Sequence, residues 1–149
     1  MNTQALYAGS FDPFTIGHWS VVDRALRIFD RVIIAIGENA DKNAFWPLEK
    51  RLDHIRSVYK DNARVGVISY SGLTADTARH TGCTHLLRGV RSSVDFEYER
   101  TLADANRNIS GLETVLLYTL PEYAFVSSSL VRDLMRHGHS AEQFLPHIH

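Results

Sequence analysis

Three short stretches of this chain carry residue types suited to chemistry on an anion: Thr15-Ile16-Gly17-His18, Arg88-Gly89-Val90-Arg91, and the loop holding Asp41-Lys42-Asn43. A histidine in the opening turn of a helix sits beside unpaired backbone N–H groups and the positive end of the helix dipole. Phosphate binds in such places, and protonation of the ring is disfavoured there. His18 is therefore expected to be neutral and to donate one hydrogen bond to a phosphoryl oxygen; a histidine that only caps or packs its helix would fit the same four residues. Gly17 would keep an approaching ligand uncrowded. Arg88 stands at the end of a strand with Arg91 three residues on, so both guanidiniums could face a pocket across a turn that Gly89 permits. Guanidinium suits planar, bidentate phosphate recognition. The competing reading is a surface pair bridged to Asp95, Glu97 or Glu99. Lys42 reads either as a ligand or as part of a solvated turn.

Other chemistries lose support. The chain has neither G-x-x-x-x-G-K-[ST] nor G-x-G-x-x-G, which argues against P-loop and dinucleotide-dehydrogenase sites. Cys83 reads as a small buried hydrophobe. The pairs His137-x-His139 and His147-x-His149 lack companion cysteine or carboxylate spacing, so no metal site is assigned. Tyr98, Leu102 and Ala105 follow helical spacing and are expected to face the core, with Glu99 toward solvent or the pocket edge.

The elements that must position these residues can be read from periodicity. The 149 residues are 44% hydrophobic and 22% charged, matching a single domain over 1–149 that needs no disulfide or structural metal. Strands are predicted at Gln4 to Gly9, Arg31 to Gly37, Arg64 to Tyr70, Thr84 to Arg88 and Glu113 to Thr119. The run Val32 to Ile36 is unbroken apolar, as a strand covered on both faces requires. Val22, Ala25, Leu26 and Phe29 mark one amphipathic helix and Leu48, Leu52, Ile55 and Tyr59 another. Further helices are predicted over Leu73 to His80, over Val94 to Ile109, and from Ser127-Ser128-Ser129 to about His137, with serine as N-cap. The alternation gives an α/β class: a doubly wound, Rossmann-like five-stranded parallel sheet with helices on both faces. Its ligands should lie beyond the carboxyl ends of the strands, at the point where strand order reverses. Sixteen Lys and Arg against seventeen Asp and Glu leave a net charge of −1, unsuited to a broad nucleic-acid face. One cysteine and no long apolar run point to the cytoplasm and away from a membrane.

Taken together, Gly9-Ser10-Phe11-Asp12-Pro13, Thr15-Ile16-Gly17-His18, Arg88-Gly89-Val90-Arg91, Asp95-Phe96-Glu97-Tyr98-Glu99, Asn106-Arg107 and Val126-Ser127-Ser128-Ser129-Leu130-Val131-Arg132 resemble the bacterial phosphopantetheine adenylyltransferases. These belong to the T/H-x-G-H nucleotidyltransferases, and the likeness runs from about Leu6 to Leu145. It implies transfer of AMP from ATP to 4′-phosphopantetheine, giving dephospho-coenzyme A and pyrophosphate, with Mg²⁺ carried by ATP. By the resemblance His18 would stabilise the transition state, aided by Lys42 and Arg91. Ser10, Lys42, Thr74 and Arg88 would hold phosphopantetheine. Ser10, Phe11, His18, Gly89, Val90, Arg91, Glu99 and the stretch Tyr123, Ala124, Phe125, Val126, Ser127, Ser128, Ser129 would form the ATP side. A homohexamer and coenzyme A as feedback ligand are also implied. This chain departs from the commonest pattern at Ala8, where proline is frequent, at Ser10, where threonine is, and at Tyr123-Ala124, where a tryptophan often lies. It ends soon after Leu145-Pro146, where longer relatives carry another helix. The reaction needs no protein nucleophile, since an ionised acceptor phosphate can attack the α-phosphorus directly. The competing readings are a nicotinate mononucleotide adenylyltransferase or cytidylyltransferase of the same superfamily, and a non-catalytic nucleotide sensor.

Overall fold

The computed structural model describes residues 2–38 and 43–148, so Lys42 lies outside the described residues. The apolar run 32–36 occupies β2 (Arg31–Gly37), whose five middle residues are all buried, beside β1 (Gln4–Gly9). With β3 (Val65–Tyr70), β4 (His85–Val90) and β5 (Glu113–Tyr118) they form one parallel sheet in the order β3-β2-β1-β4-β5. The predicted fold class and strands are borne out, with ends differing by one or two residues.

Helices cover both faces. On one side α1 (Ile16–Ala25) and α2 (Leu48–Val58) bury Val21, Val22, Leu52 and Ile55 against Tyr7, Ile34 and Leu87. On the other, α3 (Thr74–His80) packs Ala78 against Leu6, Ala8, Ile33 and Leu86, with Cys83 buried in the same cluster, and α4 (Ser93–Ser110) lies against β4 and β5. A short α5 (Ser128–Arg136) follows, capped by Ser127, whose Oγ accepts from Leu130 N at 3.1 Å, as the serine run predicted. No helix among the described residues is long and apolar enough to cross a membrane.

Two expectations need correction. β4 continues through Arg88, Gly89 and Val90, because all three keep pairing with β5 (Arg88↔Leu116, Gly89↔Leu117, Val90↔Tyr118). Gly89 is therefore a strand residue, and a Cβ there would lie 3.1 Å from a methyl of Val21, so glycine lets β4 approach α1. The second correction concerns α4. Tyr98 and Ala105 are exposed and Leu102 is only half-buried, whereas Glu99 is the buried residue of the helix. The stripe of α4 nearest the sheet lies over a crevice, not over packed core, so helical spacing there marks cavity wall.

That crevice has a simple origin. β1 pairs with β2 through six register positions, but with β4 only from Ala5↔His85 to Tyr7↔Leu87. Beyond Tyr7 and Leu87 the strands part, leaving Ala8-Gly9 and Arg88-Gly89 on opposite banks of the switch point.

Candidate active site

The opening between β1 and β4 leads into a cavity of about 410 Å³, reached by His18 from the first turn of α1, Arg88 and Arg91 from β4 and its end, and Ser127 to Ser129 from the start of α5. Beside it lies a second cavity of about 310 Å³, lined by Tyr70, Leu73, Thr74, Leu102 and Asn106 among others. Ala8, Gly9, Arg88 and Glu99 belong to both walls.

His18 is held by its own helix start. Thr15 is the N-cap of α1; its Oγ1 accepts from His18 N at 3.4 Å, and Nδ1 of His18 accepts from Thr15 N at 2.9 Å. The two form a capping box in which histidine takes the place usually filled by Glu or Gln. Because Nδ1 is an acceptor, the neutral ring carries its proton on Nε2. The ring packs against two phenyl rings that also meet each other, stacked on Phe14 at 5.4 Å and perpendicular to Phe11 at 5.0 Å. Burial, and then the nearby Arg91 and Arg88, lower its pKa from 6.5 to about 3. The expectation of a neutral imidazole stands, although burial and the arginines account for it where the helix dipole was invoked.

Since the folded ring resists a proton that the unfolded chain would take up, stability linked to His18 is present above pH 6.5 and declines as pH falls toward 3. Nitrogen NMR of the folded protein at pH 5 is expected to show His18 protonated on Nε2 alone; a doubly protonated ring at that pH would contradict this assignment.

The two arginines form the ion pairs of the competing reading and also line the first cavity. Arg88 meets Glu99 with two parallel bonds, Nε to Oε2 and Nη2 to Oε1, each 2.8 Å, and its Nη1 donates to the carbonyl of Ala8 across the parted strands. Burial works against its charge, but Glu99 outweighs this and raises its pKa above the ordinary guanidinium value. Arg91 contacts Asp95 at 3.5 Å and lines the first cavity. Asp95 and Glu99, the carboxylates of that wall, are thus each engaged by a guanidinium.

Of the sequence-predicted residues, Ser10, Phe11, His18, Gly89, Arg91 and Val126 to Ser129 reach the first cavity. Thr74 lies in the second, and Arg88 and Glu99 border both. Val90 is buried at the end of β4, and Tyr123, Ala124 and Phe125 are outside both linings; Phe125 packs edge-on against Phe144. Sequence reasoning missed Tyr7, Asp95, Tyr98, Thr119 and Arg132. Arg132 stands one helical turn beyond Ser128, so i, i+4 spacing from the serines could have found it.

The chain matches the cytidylyltransferase-like family over residues 6–134. It is 55% identical to phosphopantetheine adenylyltransferase of Porphyromonas gingivalis, covering 95% of this chain and 93% of that protein. The enzyme of that name from Bacteroides thetaiotaomicron is 50% identical, with 96% and 95% covered. Among solved structures, a bifunctional NMN adenylyltransferase/ADP ribose pyrophosphatase from Francisella tularensis superposes with a TM-score of 0.73 at 15% identity, over 99% of this chain and 45% of that one. The last of these shows the fold alone, but the sequence matches span nearly the whole chain at half identity or better, and by them the chain belongs to the phosphopantetheine adenylyltransferases, within the cytidylyltransferase-like nucleotidyltransferases.

Proposed function

We propose that the two cavities are the two halves of an AMP-transfer site, with ATP in the first and 4′-phosphopantetheine in the second. The reaction is that of the family, in coenzyme A biosynthesis: AMP passes from ATP to 4′-phosphopantetheine, and dephospho-coenzyme A and pyrophosphate leave. One observation carries the assignment of halves: Arg88 stands in the wall common to both cavities, where one guanidinium could meet the acceptor phosphate as it nears the α-phosphorus. The second cavity has the half-apolar lining, with Leu73, Leu102, Thr74 and Asn106, that a flexible amide-bearing arm would need.

The chemistry follows from charge. The acceptor phosphate is ionised near neutral pH, so direct in-line attack requires no base and no protein nucleophile. His18 directs its Nε2 proton toward the equatorial oxygens, and Arg88, Arg91 and Lys42 offset the charge of two converging anions. The donor set suits Mg²⁺ arriving on the triphosphate: both cavity carboxylates are taken by arginines, and no cluster of three His, Cys, Asp or Glu occurs among the described residues. When bound, the metal supplies further neutralisation. The same reading has coenzyme A occupying both cavities as a feedback ligand and the chain working as a homohexamer in the cytoplasm.

Pyrophosphate release from ATP tests the acceptor. With 4′-phosphopantetheine it should be at least about 10³ times more efficient than with nicotinate mononucleotide, whose base would leave the arm's polar partners unpaired. Comparable rates would keep the nucleotidyltransferase and remove this acceptor. Mixed with ATP and Mg²⁺ alone, the intact chain should gain no AMP mass; an adduct would replace single displacement with a two-step scheme.

A further inference from the structure

Among the described residues, two charged side chains are buried without reaching either cavity: Asp12, 7% exposed, and Arg51, 8%. Buried charges persist where their hydrogen bonds are satisfied, so their partners indicate what they hold. The two oxygens of Asp12 accept from consecutive backbone amides in the approach to α2, Phe45 N at 2.7 Å and Trp46 N at 2.8 Å. Arg51, on α2, donates Nε to the carbonyl of Trp46 at 3.0 Å and Nη1 to the carbonyl of Ser10 at 2.8 Å. Arg132 adds a bond from Nη1 to the carbonyl of Asp12 at 2.8 Å. The backbone is thereby fixed on both sides of Phe11.

Phe11 is the residue that needs fixing. Its φ is +45°, in the left-handed region that a bulky side chain avoids, and it is the one non-glycine among the described residues found there. In this conformation the ring turns back under Gly9, where a Cβ would come within 3.1 Å of it, and meets the His18 ring with ring planes at 90°. Relaxed to an ordinary φ, Phe11 would leave that place, and His18 would lose one of the two phenyl rings it packs against.

We infer that Asp12 and Arg51 are positioning residues for the transfer reaction, acting through the strained backbone of Phe11 on the orientation of the His18 ring. The inference rests on the role given to His18 above. Neither residue lines a cavity, and the backbone they hold reaches ATP only through Ser10 and Phe11, two of many lining residues, so the effect on affinity should be smaller than that on the chemical step, which is sensitive to small errors of aim.

The test is a double-mutant cycle. Asp12→Asn keeps the shape but sets an amide N–H₂ against one of two N–H donors; Arg51→Lys keeps the charge but cannot make both directed bonds. Each is expected to lower kcat by about tenfold, with KM for ATP and for 4′-phosphopantetheine within about threefold of the parent. In a His18→Ala background the same changes should cost less than about twofold in kcat, since the ring they aim is gone. Equal losses in both backgrounds, or full turnover in folded single variants, would overturn the inference. So would failure of both variants to give folded protein, which would make them supports of the fold alone. If His18→Ala itself kept full turnover, the reading of His18 would fail first; a His18-dependent enzyme indifferent to Asp12 and Arg51 would sink only the positioning role.

Discussion

Alanine in place of His18 is expected to lower kcat by about 10² to 10³, with KM for ATP changed by less than about threefold. The asymmetry follows from where the Nε2 proton points. On the proposed assignment, ground-state ATP would be held by guanidiniums, amides and hydroxyls that survive the change, whereas charge on the oxygens around the α-phosphorus grows only during transfer. Alanine also removes the acceptor of Thr15 N, half of the capping box, at about 1 kcal/mol of stability. Rates must therefore be measured well below the melting temperature of the variant. Steady-state kinetics decide the matter: near-parental kcat, or a loss carried by KM, would exclude the assigned role.

Replacing Arg88 with alanine should weaken 4′-phosphopantetheine binding by about 10² and destabilise the fold by about 2 kcal/mol. The first effect would be the loss, on the proposed assignment, of a charged donor for the acceptor phosphate. The second arises because Glu99, whose side chain is 7% exposed, is left charged and unpaired, and because Ala8 loses a donor across the parted strands. Arg88 itself is 34% exposed, so solvent can reach the gap and the cost stays below that of a fully buried pair. Titration calorimetry with the acceptor and urea unfolding measure the two effects separately. Normal acceptor binding with ATP affinity lost would mean that the two cavities had been assigned in reverse.

How much of this could be read in advance depended on the range of the interaction. β2 was legible because five consecutive apolar residues describe a doubly covered strand without reference to anything else, and Thr15 with His18 is a local cap visible in four residues. Arg88 and Arg91 posed a choice between facing a pocket and forming ion pairs that spacing could not decide, because the two are compatible: the guanidiniums line the cavity while resting on Glu99 and Asp95. Tyr98 and Ala105 went wrong because helical periodicity shows which residues share a face, not what that face meets: Tyr98 stands at the cavity and Ala105 is exposed. Asp12 illustrates the remaining limit. Its partners lie 33 and 34 residues away, on a loop whose register against the first strand no local pattern records.

The strand order has a consequence for the birth of the protein. β1 is made first yet ends in the middle of the sheet, so half of its edge must wait for its partner. Once Tyr70 has left the ribosome, all residues of β1, β2 and β3 and of α1 with His18 are available to associate. No crevice exists at that stage, since its other bank, Arg88 and Gly89, has not been synthesised. Joining Leu6 to Leu86 closes a loop of roughly 80 residues, the kind of long-range parallel pairing that slows folding. A half-sheet of β1 to β3 alone would expose an unpaired apolar edge along β1, and the crevice is complete only once β4, from the second half of the chain, pairs with it.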